Sequence, residues 1–251
     1  MLVATRAIVL HAFDYLETSR VLRLVTRDAG IQSVLAKGAR RSRGKFGSGL
    51  DLFAEGDAEL YLKASRELQT MASFDVMRSR AALALDMDRF LAASALAEMV
   101  LRLGSGEANA ALYDAVAMTL DALADAQGTA IAGVGLGGLW QIIAAAGFAP
   151  VLDNCASCHA PLDAEARAVF SPASGGTLCD RCARLTPGGR ALPAEARAVI
   201  VDWLAGEPRT IDLPSIKAHQ RLLREFVTEH LQDARAWRAF AAWETGVSLG
   251  V

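Results

Sequence analysis

The sequence lacks low-complexity tracts, strong net charge and any abundance of cysteine, and each absence narrows the class of protein. Without low-complexity tracts, and with 53% hydrophobic and 22% charged residues, the chain is predicted to fold rather than to stay disordered. Only four residues are cysteine, and they form two close pairs. In a reducing compartment such pairs favour metal ligands over disulfides.

The sequence pattern also predicts neither a secretory signal nor a membrane-spanning segment. The first twenty residues include His11, Asp14 and Glu17 and show no small-residue cleavage site, so we expect no secretory signal and a cytoplasmic location. Residues 126–152 carry no charged side chain and are long enough to span a bilayer. Five glycines from residue 133 to residue 147, together with Gln141 and Pro150, interrupt this stretch, and no Lys/Arg cluster flanks it, which favours a glycine-rich turn leading into a buried helix.

The net charge of −2 conceals an asymmetry along the chain. Residues 1–80 carry 13 basic and 9 acidic side chains, whereas the remainder carries 13 basic and 19 acidic ones. A basic amino-terminal part permits a polyanionic partner at that end of the molecule.

The pattern of apolar residues changes from β-like to helix-like along the chain. Residues 3–76 hold short alternating runs separated by turn residues, enough for about five strands of a small, partly open barrel. Helical spacing then begins, broken by the cysteine segment. The predicted later elements are a helical hairpin at 79–127, a helix at 139–146, the cysteine segment at 154–183, and helices at 193–204 and 214–232.

The cysteines form two C-x-x-C pairs separated by twenty residues. This spacing brings four thiolates around one Zn²⁺, and it leaves no open coordination position for a catalytic water. We therefore predict one structural zinc ion per chain, which folds a loop too poor in apolar residues to fold alone. The predicted ligands are Cys155, Cys158, Cys179 and Cys182.

Other uses of the cysteines remain open from the residues alone. Cys155 to His159 also matches C-x-x-C-H, the haem-attachment signature, but that chemistry requires export and leaves the second pair unexplained. A thioredoxin-like redox pair needs a βαβ context, which the segment lacks. A zinc deaminase is excluded because no H-x-E precedes a P-C-x-x-C. Of the histidines, His11, His219 and His230 have no nearby catalytic pattern and are predicted to be structural or at the surface.

A basic loop follows directly after a predicted strand. It places five cations within ten residues, with no acid among them, which favours binding to phosphates. The alternative is a solvated loop that only keeps the protein soluble. A P-loop is excluded, because five residues separate Gly38 from Gly44 and Phe46 stands where a hydroxyl is required. The candidate DNA-binding residues are Lys37, Arg40, Arg41, Arg43 and Lys45.

On these residues, the chain resembles the RecO family of bacterial recombination mediators over nearly its whole length. The strongest parts of the resemblance are the strands that lead to residues 36–41 and the passage from Leu139 through Pro150 into Cys155 and Cys158. The resemblance implies an α+β multidomain fold. We expect an all-β OB-fold barrel at 1–80, an all-α helical domain at 81–153 and 184–251, and a four-cysteine zinc module at 154–183.

The resemblance also implies a function, and it is not enzymatic. It implies binding of single- and double-stranded DNA, annealing of complementary strands, and action with RecR to load RecA onto strands coated by single-strand-binding protein, near the nucleoid. The helical domain is expected to receive the carboxy-terminal tail of the single-strand-binding protein. Candidate cations for this contact are Arg89, Arg102, Arg221 and Arg224.

The resemblance has one departure, and alternatives to the implied function stay open. Residues 235–240 stand where a Lys-Ser-containing segment is usual in the family.

A zinc-stabilised scaffold without direct DNA binding is the alternative function, and a zinc-dependent hydrolase would need a ligand set with a vacancy. Residues 1–80 contain only six Phe and Tyr residues, several of which are expected in the core, so we predict binding dominated by phosphates.

Overall fold

The computed structural model describes residues 1–40, 46, 50–231 and 236–246. The chain divides into two compact units, Met1–Asp125 and Ala126–Val251. The first unit contains a five-stranded barrel and two α-helices, and the second contains a three-stranded sheet and, within its described residues, five α-helices. The division into domains drawn from the sequence, with a boundary after residue 80, stays a prediction.

The barrel is closed, and its strand order is β1-β2-β3-β5-β4. Strands β3 and β5 pair in parallel and all other neighbours pair antiparallel. This is the five-stranded topology of the OB-fold, so the predicted fold class is confirmed. The strands are β1 Leu2–Tyr15, β2 Ser19–Thr26, β3 Gly30–Ala36, β4 Glu55–Tyr61 and β5 Leu68–Arg78.

Alternation of side chains along the strands fills the barrel. On β4, Ala58 and Leu60 point into the core while Glu59 and Tyr61 face solvent, as the sequence pattern predicted. The barrel core is a cluster of twelve buried residues. Its members are Ala7, Val9, Leu22, Leu24, Val34, Ala36, Phe46, Leu50, Ala58, Leu60, Met71 and Phe74.

A β-bulge in β1 exchanges the inward and outward positions of this strand. The pairing with β2 shifts register between Val9 and His11, so that Leu10 is the extra residue. Before the bulge, Val9 belongs to the core, and after it Ala12 packs against the core instead. The odd-numbered residues at the end of β1 therefore face outward.

Two helices complete the first unit, namely α1 Met87–Leu103 and α2 Ala110–Asp125. The Asp86 carboxylate accepts the Arg89 N–H at 3.0 Å and so caps α1. Asn109 does the same for α2 through the Leu112 N–H at 2.9 Å. These caps explain where the predicted helical hairpin begins and turns.

A buried ion network joins α2 to the barrel. The Arg80 side chain is 2% exposed and donates to Glu55 and Asp121, at 2.6 Å each, and to the Phe53 carbonyl oxygen at 3.0 Å. The Tyr113 hydroxyl donates to the other oxygen of Glu55 at 2.9 Å. Burial, together with this bond to Glu55, raises the pKa of Tyr113. Because each buried charge has its partners, the network can stabilise the contact between helix and barrel.

The second unit combines helices with a small sheet of order β7-β6-β8. Its core is aromatic: Trp140 and Phe170 each pack against Phe226, with ring centroids 5.5 and 5.7 Å apart. The elements are α3 Ala130–Ala145, β6 Ala168–Ser171, β7 Gly176–Leu178, α4 Asp180–Leu185, β8 Arg190–Leu192, α5 Ala194–Leu204, α6 Leu213–His230 and α7 Arg238–Gly246.

The glycine-rich stretch before residue 139 is helix rather than turn, so that prediction was wrong. Helix α3 begins at Ala130 and includes four glycines. A Cβ atom on Gly137 would lie 2.8 Å from the Trp203 ring, and one on Gly133 would lie 2.7 Å from the Arg209 carbonyl oxygen. Gly133 and Gly137 are therefore required by close packing against the segment 203–209, a tertiary contact that outweighs their low helix propensity.

The predicted helices after the cysteine segment are confirmed as α5 and α6. Pro193 precedes α5, and the Asp212 carboxylate caps α6 by accepting the Ser215 N–H at 3.0 Å. The sequence interpretation missed the short helix α7 and the three strands of the small sheet. Within the described ranges, no helix combines the length and the apolar character that a membrane span requires.

Candidate metal centre and nucleic-acid interface

The structure brings all four predicted cysteine ligands together. The four Sγ atoms lie within 4.8 Å of one another, and those of Cys158 and Cys179 are 3.8 Å apart. Four sulfurs placed about 2.3 Å from a tetrahedral metal ion are separated by about 3.8 Å. The cluster can therefore hold one metal ion with its four thiolates, and no two cysteines form a disulfide.

Backbone contacts hold the first cysteine pair in a tight turn. The Cys155 N–H donates to the Ala160 carbonyl oxygen at 2.8 Å, and the His159 N–H donates to the Cys155 carbonyl oxygen at 2.8 Å. His159 closes the turn with a left-handed φ of 59°. The buried Thr177 hydroxyl lies 3.1 to 3.2 Å from the carbonyl oxygens of Val151, Leu152 and Asn154, which fixes the turn to β7.

The second pair spans the start of α4. Cys179 is the residue before the helix, and Cys182 lies within its first turn, so the two thiols point to the same side. Asn154 pairs with Pro161 as an isolated bridge that closes the other turn. Each cysteine pair is thus held by contacts between residues close in sequence, and the two pairs meet at the four sulfur atoms.

The surroundings of the cysteines contain little apolar material. The buried cluster around them consists of Cys155, Leu178 and Cys182, with four partly buried neighbours. Burying so few apolar side chains yields little hydrophobic stabilisation. In a segment with so small a hydrophobic core, a bound metal ion can supply much of the folding free energy.

The surroundings shift the pKa values of two of the thiols, Cys155 and Cys182, in opposite directions. Burial opposes ionisation of Cys155, but the backbone N–H groups of Cys179, Cys158 and Ser157 outweigh it and lower the pKa of this thiol to about 6. A bond from Ser157 favours the ionised form of Cys182, but the neighbouring thiols and burial raise the pKa of Cys182 to about 12. Sulfurs packed this closely repel as anions, and a divalent cation removes that conflict.

The basic loop begins at the end of β3. Lys37 and Arg40 lie in the described part of the chain and both are exposed, whereas Arg41, Arg43 and Lys45 lie outside the described residues. Gly38 takes a left-handed φ of 76°, which turns the chain out of the strand. Two of the five predicted cations can therefore be placed on the barrel.

The start of this loop is tied to the turn between β1 and β2. The Arg40 N–H donates to the Thr18 carbonyl oxygen at 3.0 Å, and the Arg40 guanidinium lies 3.5 Å from the Asp14 carboxylate. Arg20 reaches the same carboxylate at 3.2 Å. The loop thus leaves the barrel beside the β1–β2 turn, one of the edges from which OB-folds bind nucleic acid.

Charge on the outer surface of β4 has the opposite sign. Asp57 and Glu59 face solvent there, and Glu59 accepts a hydrogen bond from Ser73 at 2.9 Å. Phosphates are repelled by such a surface. The outward face of β4 is therefore acidic, whereas the described start of the basic loop carries the cations Lys37 and Arg40.

The four candidate cations for a partner tail lie on two helices in different units. Arg89 and Arg102 belong to α1, and Arg102 pairs with Glu98 at 3.0 Å. On α6, Arg221 pairs with Glu225 at 3.1 Å and Arg224 lies 3.3 Å from Glu244. Arg221 and Arg224, which we call the α6 pair, lie one turn apart on the same helix.

Arg190, which the sequence interpretation did not consider, joins the α6 pair. Its guanidinium binds Glu225 through two hydrogen bonds. Although burial opposes ionisation, Arg190 and Arg221 hold the pKa of Glu225 below its usual value. A cavity of about 450 Å³ lies beside them, bordered by Arg190 and Arg221 and floored by Leu192, Pro193 and Leu222.

The histidines lie inside the second unit or at the surface, as their sequence context predicted. His11 is exposed, whereas His219 is buried with its ring edge-on to Trp203 at 5.0 Å. Burial lowers the pKa of His219 to about 4, so its ring is neutral at neutral pH. His230 packs against Phe226 with ring centroids 4.4 Å apart.

Comparison with known proteins agrees with this architecture. The family model described as Recombination protein O N terminal matches residues 1–80, and the one described as Recombination protein O C terminal matches residues 84–238. The chain is similar to a protein named DNA repair protein RecO from Anaeromyxobacter dehalogenans, with 33% identity over 97% of this chain and 96% of the relative.

Two further relatives carry the same name. The protein from Rubrobacter xylanophilus is 35% identical over 71% of this chain and 70% of the relative, and that from Nocardioides is 31% identical over 92% and 96%. The family models together span most of the chain. The chain therefore belongs to the RecO family, whose members act in DNA repair and recombination.

Proposed function

We propose that this protein binds single- and double-stranded DNA through the basic loop of its barrel and anneals complementary strands. The observation that carries the proposal is the fixed start of the loop: Arg40, the first arginine of the basic run, is bonded to the β1–β2 turn at one defined edge of the barrel. In this proposal residues 1–80 are the DNA-binding domain, and residues 81–153 and 184–251 form the helical domain.

Phosphate neutralisation explains both activities. Each cation that contacts a phosphate releases a condensed counterion, and this release supplies affinity without sequence preference. A protein that screens two polyanions from each other also speeds their pairing. In the family setting, the annealing protein acts with RecR to load RecA onto strands coated by single-strand-binding protein, close to the nucleoid.

The salt dependence of DNA binding tests the loop. Replacing Arg40, Arg41 and Arg43 together with Ala removes three cations, and each phosphate contact on a single strand contributes about −0.7 to the slope of log affinity against log salt. We therefore expect the slope to flatten by about 2, and annealing to slow.

A matched control separates the loop from charge in general. Arg167, Arg181 and Arg184 are three exposed arginines of the second unit, and their joint replacement with Ala removes the same charge. This variant should keep the wild-type slope. Equal slopes for wild type and the loop variant would instead support a scaffold without direct DNA binding through this loop.

We also propose that the four cysteines hold one structural Zn²⁺, so that residues 154–183 form a zinc module. Four thiolates within 4.8 Å of one another suit zinc, which takes sulfur ligands in tetrahedral geometry. When bound, the ion links the turn at Cys155–Cys158 to the start of α4. Elemental analysis of protein prepared without chelator should find one zinc per chain, and its absence from such protein would refute this role.

The acidic tail of the single-strand-binding protein is proposed to bind beside α6. Such a tail needs an apolar pocket bordered by cations, and the cavity at Arg190 and Arg221 combines both. Among the four candidate arginines, Arg221 is therefore favoured, since it alone borders this cavity. Replacing Arg221 with Glu should weaken binding of a labelled tail peptide, measured by fluorescence anisotropy, while Arg89→Glu should leave it unchanged.

A further inference from the structure

Three exposed rings follow one another on the outer face of β1. The bulge at Leu10 sets His11, Phe13 and Tyr15 on the same side of the strand, because residues two apart share a face. The rings of His11 and Phe13 are already in contact, with centroids 5.8 Å apart. We call these three residues the aromatic strip.

The rings of the strip are open to solvent. Phe13 is 46% and Tyr15 43% exposed, although large rings contribute most to stability when they are buried. Three other rings of the barrel, Phe46, Phe53 and Phe74, are buried. Folding of the barrel therefore does not explain why the strip faces solvent.

The aromatic strip ends where the basic loop begins. Leu16, in the turn directly after Tyr15, is 76% exposed and takes a left-handed φ of 55°, a conformation that costs energy for a leucine. Thr18 in the same turn accepts the Arg40 N–H, so an apolar surface and the first loop cations meet at one edge.

The ring of Tyr61 offers an internal comparison. It is 51% exposed, as open as the strip, but it lies on β4, where Asp57 and Glu59 share its outward face. Phosphates next to those carboxylates are disfavoured. Of the exposed rings in the described barrel, only those of the strip stand beside the basic loop.

We propose that the aromatic strip stacks on the unpaired bases of single-stranded DNA, with its phosphates beside Lys37 and Arg40, the described cations at the start of the basic loop. Every base has an apolar face, so stacking on rings adds affinity without sequence preference. In a duplex those faces are stacked on one another and are closed to the strip. The strip would thus favour single strands over duplex, a distinction that loop cations alone make weakly. This inference rests on the proposed DNA binding of the barrel.

Removing the rings tests the inference. Stacking contributes about 1–3 kcal/mol per base, so the double variant F13L/Y15L should lose about tenfold or more in affinity for oligo(dT). Its affinity for duplex should stay within about twofold of wild type, and its salt slope should be unchanged because no phosphate contact is lost. Tyr61→Leu is the matched control and should bind oligo(dT) like wild type.

A second readout remains informative even if F13L/Y15L folds poorly. The ring-preserving variant Phe13→Trp places an indole in the strip, and oligo(dT) should quench its emission beyond the change seen in wild type, whereas duplex should not. The absence of quenching, or an unchanged oligo(dT) affinity of folded F13L/Y15L, would overturn the inference while leaving phosphate binding intact. If wild-type protein binds no DNA at low salt, the proposed function itself fails.

Discussion

The barrel and the cysteine module, residues 154–183, both contain β-strands, but different forces hold them. The barrel closes over twelve buried residues, whereas the buried cluster of the module contains three, two of which are cysteines. A closed sheet with an apolar core is stable by burial. The module lacks that core, and its four sulfurs stand where a metal ion can replace it. The two regions should therefore respond to different perturbations.

Loss of the metal should give the largest difference in stability between the two regions. Cys179→Ser removes one of four ligands, and structural zinc in small modules contributes ~10 kcal/mol or more to folding. We expect the variant to lose metal and residues 154–183 to become sensitive to protease, while the barrel keeps its unfolding transition. His159→Asn is the control, because it removes the nearest other ligand type and should keep the metal. Loss of metal from the control would mean that the site is not formed by four cysteines.

Arg80 tests the opposite case, a buried charge in the barrel unit. Arg80→Ala leaves the Glu55 carboxylate buried without this cation, which typically costs about 3–5 kcal/mol. Arg78 pairs with the same Asp121 but is 56% exposed, so Arg78→Ala should cost at most about 1 kcal/mol. Chemical unfolding measures both values. Metal content should not change in either variant, and equal costs would show that burial of the network is unimportant.

His219 should make the second unit sensitive to acid. Its folded pKa of about 4 lies below the value of about 6.5 in an unfolded chain, so the unfolded state binds more protons between these pH values. Stability should therefore fall by ~2 kcal/mol between pH 7 and pH 5 from this residue. His219→Leu should remove that part of the pH dependence. Identical pH profiles for variant and wild type would contradict a buried neutral ring.

The loop arginines should have the smallest effect on stability. Exposed cations contribute between about zero and 1 kcal/mol, and Arg40 is the only one with a described ion pair, to Asp14. The triple variant at residues 40, 41 and 43 should unfold within about 1 kcal/mol of wild type while losing DNA affinity. A large loss of stability would assign these residues to the fold instead.

Local patterns predicted much of this molecule. Alternation on β4, the two helices predicted at 193–204 and 214–232, and the C-x-x-C spacing each depend on residues close in sequence, and the structure confirms them. The site residues of the basic loop remain a prediction, since only Lys37 and Arg40 lie in the described part.

Features that depend on distant partners were not predicted. Gly137 of α3 is explained by the Trp203 ring, 66 positions further along the chain, and sequence spacing alone could not supply that contact. The outward turn of Phe13 and Tyr15 depends on a single bulge residue, which shifts the alternation by one position. Arg80 has the sequence context of a surface residue until its partners on β4 and α2 are known.

The most direct test compares DNA affinity and metal content across two proteins, the chelator-treated wild type and the metal-loaded loop variant. If the barrel binds DNA and the cysteines only hold the module together, the metal-depleted protein should bind oligo(dT) within about twofold of untreated wild type. The loop variant should keep its metal, and its binding should weaken and lose about 2 units of salt slope. Loss of DNA binding on metal removal, with normal binding by the loop variant, would contradict this division of labour.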